Sequence, residues 1–597
     1  MVEQSSGQSE SSQSHPDNNE IAAIAARSQR IITDFLSRQQ GGAGMADTGK
    51  IGEAFSEMTR QMMADPGKMM QAQMNLWQDH MALWQNTTQR MLGGETEPVI
   101  EPKEDDRRFK STEWDDNFLF DYIKQSYLLT SRWMQTTVGD VEGIDDKTAK
   151  KVEFYTRQFV DSMAPSNFAM TNPDVLRATI DSRGENLVRG LKNLLDDMEN
   201  SDGQLRIKMT DPNAFVLGEN IAVTPGQVVY QNDLIQLIQY TPTTETVHSR
   251  PLLIVPPWIN KYYILDLQPK NSFIGWVVAQ GYTVFVISWN NPDSSLAAKT
   301  FDDYMLEGPL AALDAIEQAT GETEITAIGY CLGGTLLACT LGYMAATGDD
   351  RIKAATYFVT MIDFSEPGDL GVFVDEEQLE ALEERMSEKG YLEGSAMANT
   401  FNMMRSNDLI WSFVVNNYLL GKEPLPFDLL HWNSDSTRMP AAMHSFYLRT
   451  MYIENKLIEP GAITLAGQPI DLGRIETPSY ILSTREDHIA PWASTYAATQ
   501  LYGGPVRFVL SASGHIAGVI NHPDAKKYSH WKNTKNPATA EAWLEGAKQE
   551  EGSWWGDWDK WNAKKSGKKT PARQPGDGQL KTIEAAPGSY VKKSSEE

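Results

Sequence analysis

Cys331 lies in the run Gly329-Tyr330-Cys331-Leu332-Gly333, after a β-branched stretch at 325–329 and before the helix-like run 335–339. A G-x-nucleophile-x-G turn between strand and helix lifts a reactive side chain above the end of a sheet. Glycines are needed there because the turn is tight and side chains on its flanks would clash. Partial positive charge at a helix N-terminus favours thiolate over thiol. The N–H of Leu332 is placed to donate to a developing oxyanion. The chemistry this spacing suits is attack of a thiolate on an acyl carbon.

In a fold built around such an elbow, an acid and then a histidine follow the nucleophile in chain order. Residues 480–487 read as a strand running into a loop that ends on Asp487, and 509–515 as a last strand running into Gly514 and His515. Cys331, Asp487 and His515 are therefore the expected triad. Glu486 is an alternative acid. His488 is an alternative base, although side chains of adjacent residues pair poorly, and His522 further along reads as surface. Cys339, eight residues after Cys331, reads as core packing. The second oxyanion donor is expected from the loop Pro256-Pro257-Trp258-Ile259-Asn260, which follows a strand at 252–255, with Ile259 and Asn260 as candidates.

The elements that must position these groups are short apolar or β-branched runs at 252–255, 283–289, 325–329, 355–359, 480–483 and 507–510, separated by helix-length segments. That pattern predicts a buried parallel sheet, preceded by paired strands at 228–230 and 234–240. The fold class is α/β: an α/β-hydrolase fold with a helical cap insertion, expected at about 363–450, where an insertion covers the strand ends that bind ligands. A mostly helical N-terminal domain is expected over 1–202, and the hydrolase domain over 203–597. Within the former, 1–18 reads as disordered and a short helix follows from Asn19. A helix at 66–92 carries Met70, Met74, Trp77, Met81 and Trp84 in a narrow stripe, with Met91 beyond. Such a stripe either docks on its own domain or presents an adaptable Met-rich face to another protein or an apolar surface. The Trp- and Lys-rich end closes in a segment, about 564–597, expected to be a flexible, solvated tail.

A chain of 597 residues suggests two domains, and 41% hydrophobic with 22% charged residues is ordinary for a globular protein. The formal net charge of −27 repels phosphate backbones, which disfavours nucleic acid as a partner. Two cysteines make neither a disulfide framework nor a Cys-rich metal site. The start has no basic region or apolar core of an export signal, and no run of about 18–20 apolar residues predicts a transmembrane helix. The expectation is a cytoplasmic protein.

Longer segments resemble class I polyhydroxyalkanoate synthases, which polymerise (R)-3-hydroxyacyl-CoA into storage polyester. They include 120–130, 164–168, 183–190 and 256–267, and, most specifically, Gly329-Tyr330-Cys331-Leu332-Gly333-Gly334, His431-Trp432-Asn433-Ser434-Asp435, 485–492 and 513–521. The resemblance runs from about Asp106 to Val591. Position by position it implies Cys331, Asp487 and His515 as the catalytic residues. It further implies a homodimer working on a growing polyester chain at the surface of storage granules, with granule-coat proteins as further partners.

Cysteine suits such a reaction. Attack on an acyl-CoA exchanges one thioester for another and keeps the acyl group reactive until a hydroxyl accepts it. His515 is the expected general base, and Asp487 either orients the imidazole or activates the incoming 3-hydroxyl. The reaction needs no cofactor, and neither a metal site nor a phosphate-binding glycine loop is visible. The expected substrate is short, 3-hydroxybutyryl-CoA. Rival readings are an intracellular polyester depolymerase or an acyl-CoA thioesterase, because the same triad serves hydrolysis, and a granule-coat protein without enzymatic activity.

Overall fold

The computed structural model describes residues 48–199 and 205–594, so the expected disorder of 1–18 and the short helix after Asn19 lie outside the described residues. Two compact units divide the chain. One comprises Thr48–Asp211 with Arg405–Leu425; the other comprises Pro212–Met404 and the residues from Pro426 onward.

The first unit is helical: α1 (Thr48–Ala64), α2 (Pro66–Met91), α3 (Phe118–Gly139), α4 (Asp146–Ser162), α5 (Pro173–Asp181) and α6 (Glu185–Glu199). Helix α2 begins as its sequence requires. Asp65 accepts the Lys68 N–H at 3.0 Å, and Pro66 fills the first turn, where an N–H has no helical partner. Leu83 is its buried anchor, whereas Met70, Met74, Trp77, Trp84 and Met91 are all exposed. Most of the Met/Trp stripe is therefore exposed; Met81 of the stripe is half-buried, as is Leu76, beside the buried Leu83.

Residues 405–425, expected within the cap, pack inside this helical unit instead. The Tyr418 hydroxyl donates to Asp197 Oδ2 at 2.7 Å, and Asn186 Nδ2 donates to the Leu419 carbonyl at 2.8 Å. Gly190 lets the Tyr418 backbone approach where a Cβ would overlap its carbonyl oxygen. The cap expected as one block at 363–450 is thus divided between the units.

The second unit is built on an eleven-stranded sheet: β1 (Gly226–Gln231), β2 (Ile235–Tyr240), β3 (Leu252–Val255), β4 (Val284–Trp289), β5 (Ile325–Tyr330), β6 (Ile352–Phe358), β7 (Ser479–Thr484), β8 (Val506–Ser511), β9 (Ser529–Lys532), β10 (Lys548–Glu551) and β11 (Glu584–Ala585). Its order is β10-β9-β8-β7-β6-β5-β3-β4-β2-β1-β11. The six strands from β8 to β4 are parallel, and antiparallel strands extend both ends. Strands β3, β4, β5 and β7 are buried throughout, which is why they read as continuous apolar runs. Alternate residues feed two cores: Leu253, Val255, Phe285 and Ile287 enter one, and Leu252, Ile254, Val284 and Val286 the other.

Helices α7 (Phe273–Ala279), α8 (Ala311–Thr320) and α9 (Leu332–Thr347) connect the strands. Between β6 and β7, this unit's share of the insertion supplies α10 (Glu376–Lys389), α11 (Gly394–Met404) and α12 (Ala441–Tyr447). After β10 comes α13 (Trp555–Asn562), whose Trp555 and Trp558, with the preceding Trp554, are fully buried.

The segment from Lys564, expected as a solvated tail, lies along this unit instead. Lys569–Pro571 pairs with Thr246–His248, and β11 pairs with β1. Gln236 Oε1 accepts the N–H groups of Ser589 and Tyr590, and Tyr590 and Val591 are buried. Backbone pairing to distant strands holds this polar segment in place.

Candidate active site

Strand β5 ends at Tyr330 and α9 starts at Leu332, so the whole reversal falls on Cys331. Its backbone sits at φ 51° and ψ −119°, a conformation costing a non-glycine residue roughly 1–3 kcal/mol. The surroundings enforce it. The Cys331 N–H donates to the Phe358 carbonyl at 2.8 Å, and the Cys331 carbonyl accepts from Gly334 and Thr335. A Cβ on Gly333 would overlap the Val255 carbonyl oxygen, and one on Gly334 would overlap the Thr360 side chain. The elbow is thereby wedged between β3 and β6. Leu332 is the first residue of α9, so its N–H is one that the helix cannot pair.

Asp487 and His515 come from the loops after β7 and β8. Asp487 Oδ2 lies 2.8 Å from His515 Nδ1 and accepts from the Thr484 hydroxyl at 3.1 Å. Its Oδ1 accepts the N–H groups of Ile489 and Ala490, both at 2.9 Å. The carboxylate is buried, with both oxygens engaged. Cys331 lies near enough for its charge to bear on the His515 ring, whose Nδ1 is engaged by Asp487. Burial works against the charged imidazole. The negative charges of Asp487 and Cys331, with the Asp487 hydrogen bond, outweigh it and raise the His515 pKa to about 10.

His515 is held from behind. Tyr330 stacks on its ring at 6.0 Å between centroids. The indole N–H groups of Trp554 and Trp555 donate to the carbonyls of Gly518 and Val519, each at 2.9 Å, fixing the loop that follows it. The cluster of tryptophans was visible in sequence as composition; its service to the histidine loop was not.

The competing residues are placed elsewhere. Glu486 is exposed. The His522 ring accepts the Asp524 N–H at 3.2 Å and meets Trp555 edge to face at 5.3 Å between centroids. Cys339 is fully buried, and burial raises its thiol pKa to about 12.

The loop 256–261 is clamped by residues 432–437. Trp432 Nε1 donates to the Lys261 carbonyl at 2.7 Å, the Thr437 N–H to the Ile259 carbonyl at 3.1 Å, and the Thr437 hydroxyl to the Trp258 carbonyl at 2.6 Å. Buried Lys261 pairs with Asp435 at 2.6 Å, and Asp435 also accepts from the Tyr263 hydroxyl. Of the two oxyanion candidates on this loop, Ile259 lines the same cavity as Cys331, while Asn260 bridges to Ser436. Two clamp residues, Trp432 and Asp435, belong to the run His431-Trp432-Asn433-Ser434-Asp435, noticed in sequence without a structural role.

Above Cys331 is a cavity of about 70 Å³. Its floor is Ile259, Cys331, Leu332 and Thr335; its walls include Leu382 of α10, Met397 and Phe401 of α11, and His444 and Tyr447 of α12. The arrangement offers a thiol on the lining of a mostly apolar cavity and, on the loops after β7 and β8, a held imidazole–carboxylate pair.

This sheet and elbow define an α/β-hydrolase-type protein, and residues 251–521 match the family model described as "alpha/beta hydrolase fold". Residues 105–277 match the "Poly-beta-hydroxybutyrate polymerase (PhaC) N-terminus". The poly(3-hydroxyalkanoate) polymerase of Methylorubrum extorquens is 53% identical, over 96% of both chains. The PhaC subunit of Rhizobium meliloti is 51% identical, over 90% of this chain and 88% of its own, and that of Cupriavidus necator 43%, over 88% and 89%. Among solved structures, a hydrolase from Pseudomonas aeruginosa PA01 aligns at 13% identity and a TM-score of 0.30, over 49% of this chain and 92% of that one. The chain belongs to the poly(3-hydroxyalkanoate) polymerase family, acyltransferase-type enzymes on an α/β-hydrolase fold.

Proposed function

We propose that the chain polymerises (R)-3-hydroxyacyl-CoA, with 3-hydroxybutyryl-CoA as preferred monomer, through an acyl-thioester on Cys331. The carrying observation is the hydrogen-bonded His515–Asp487 pair near Cys331, whose side chain lines a mostly apolar cavity. His515 takes the thiol proton, and the Cys331 sulfur attacks the thioester carbon. The oxyanion forms against the Leu332 N–H, with Ile259 on the facing loop as the second donor. Collapse breaks the carbon–sulfur bond to CoA, and the His515 proton leaves with the CoA thiol. A 3-hydroxyl then attacks the new thioester, giving its proton to His515. Asp487 orients the ring: both its oxygens are already occupied, one by His515 Nδ1, which leaves it poorly disposed to serve a substrate hydroxyl.

Two features support a polymerase of short monomers. The cavity, about 70 Å³ and lined mostly by apolar side chains, suits a short acyl chain. Its apolar walls keep water from the acyl-enzyme, which would otherwise be hydrolysed. No described helix is long and apolar enough to cross a membrane. The exposed Met/Trp face of α2 is suited to the apolar surface of a polyester granule in the cytoplasm, where the enzyme would work as a homodimer alongside granule-coat proteins.

Purified protein given (R)-3-hydroxybutyryl-CoA should release free thiol and form insoluble polyester. Thiol with only the monomer acid would mean a thioesterase. Hydrolysis of added polyester without synthesis would mean a depolymerase.

A further inference from the structure

Polar side chains on the wall around Cys331 are few, and most are already paired. Thr335 Oγ1 donates to the Met361 carbonyl at 2.9 Å, and Thr400 Oγ1 to the Ala396 carbonyl at 3.0 Å. The rings of Tyr447 and Tyr452 meet edge to face at 5.7 Å between centroids, and neither hydroxyl is a buried atom left without a partner. His444 differs. It lines the cavity from α12 and is only 2% exposed, yet its Nδ1 is buried without a hydrogen-bond partner. Burial lowers its pKa to about 4, so at neutral pH the ring is uncharged and carries one donor and one acceptor nitrogen. Buried polar atoms are seldom left unsatisfied, and an orphan on a ring that lines the cavity is a ready partner for a polar substrate atom.

We propose that His444 is a specificity-determining residue whose Nδ1 accepts a hydrogen bond from the 3-hydroxyl of the acyl group held on Cys331. The proposal rests on the acyl-thioester reading above. Apolar residues such as Leu382, Met397 and Phe401 recognise only the hydrocarbon part of that group. The 3-hydroxyl is its one donor, and a donor buried in this cavity needs an acceptor. A site built to hydrogen-bond a hydroxyl rejects the analogue lacking it far more strongly than an apolar pocket rejects a missing methylene. His444 therefore separates 3-hydroxyacyl from unsubstituted acyl thioesters at the acylation step. In that step the Cys331 sulfur bonds the acyl carbon, the carbon–sulfur bond to CoA breaks, and the CoA thiol leaves with the His515 proton.

The test is single-turnover acylation, followed by CoA release and intact-protein mass, with (R)-3-hydroxybutyryl-CoA and butyryl-CoA. Wild-type protein is expected to prefer the hydroxylated substrate by at least about 100-fold. His444→Phe should reduce acylation by the hydroxylated substrate at least about 30-fold, while acylation by butyryl-CoA stays within about 3-fold. His444→Gln, which keeps an acceptor, should recover a substantial part of the preference. The assignment is overturned if His444→Phe keeps the wild-type preference, if it slows both substrates equally, or if His444→Gln behaves like His444→Phe. Wild-type protein that is acylated by neither substrate would instead overturn the thioester reading itself.

Discussion

The indole of Trp554 donates to the Gly518 carbonyl at 2.9 Å, fastening the segment after β10 to the loop that carries His515. Trp555 makes the equivalent bond to Val519. The imidazole is thus set by its carboxylate from one side and by two buried indoles through the backbone. Replacing Trp554 by Phe keeps most of the packing but leaves a buried carbonyl short of a donor, a loss of about 1–3 kcal/mol. The expected result is a lower Tm and a kcat for CoA release reduced by roughly 10-fold, with KM nearly unchanged. Stopped-time thiol assays and thermal melts of the same preparations check both.

Asp487→Asn tests orientation. Its amide retains the shape of the carboxylate but loses the charge that holds the His515 proton, and it can turn a donor toward Nδ1. Acylation should slow by roughly 10²–10⁴-fold, as in other triads whose orienting acid is amidated. Glu486→Gln, on an exposed neighbour, should leave the rate within about 2-fold. A rapid-quench measurement of CoA release separates the two.

Two buried histidines give opposite pH signatures. His515 has its pKa raised to about 10 by the charges of Asp487 and Cys331, despite burial. Its protonation therefore stabilises the fold fully below the unfolded value of about 6.5, and that contribution is lost as pH rises towards 10. His444 has its pKa lowered to about 4 by burial, so the fold loses stability as pH falls from about 6.5 to 4. Urea unfolding across pH 4 to 10 should show the alkaline loss disappear in His515→Gln and the acid loss shrink in His444→Phe.

The clamp on the oxyanion loop gives a fourth test. Asp435→Asn leaves buried Lys261 without its countercharge, and removing one partner of a buried pair costs about 3–5 kcal/mol. The Ile259 backbone should then be less well held. Acylation is expected to fall by 10-fold or more, and Lys261→Met with Asp435→Leu should restore stability better than it restores rate. Denaturant midpoints and single-turnover rates of the three proteins check this.

Much of the site was legible because its parts are local. A β-branched run meeting Gly329-Tyr330-Cys331-Leu332-Gly333 specifies an elbow within a few residues, and the loops bearing Asp487 and His515 each follow an apolar strand. The buried parallel strands announced themselves as runs with no polar face. The antiparallel strands at one end did not: β9 reads Ser-His-Trp-Lys and β10 Lys-Gln-Glu-Glu, with no apolar period, and each is specified by backbone pairing to its neighbour. The final segment was mistaken for a solvated tail for the same reason, since its anchors are ladder pairing and the burial of Tyr590 and Val591. The divided insertion was beyond reach because Tyr418 and Asp197 are far apart in sequence. The Met/Trp stripe of α2 was legible as a stripe, but periodicity cannot say which of two amphipathic faces turns inward.

The most direct test of the central claim is to mix the enzyme with (R)-3-hydroxybutyryl-CoA, quench in acid within milliseconds, digest with pepsin and weigh the peptides. The account predicts 3-hydroxybutyryl units on the peptide carrying Cys331, removed by hydroxylamine and absent from Cys331→Ala. Acyl groups on another residue, or polymer formed by Cys331→Ala, would contradict it.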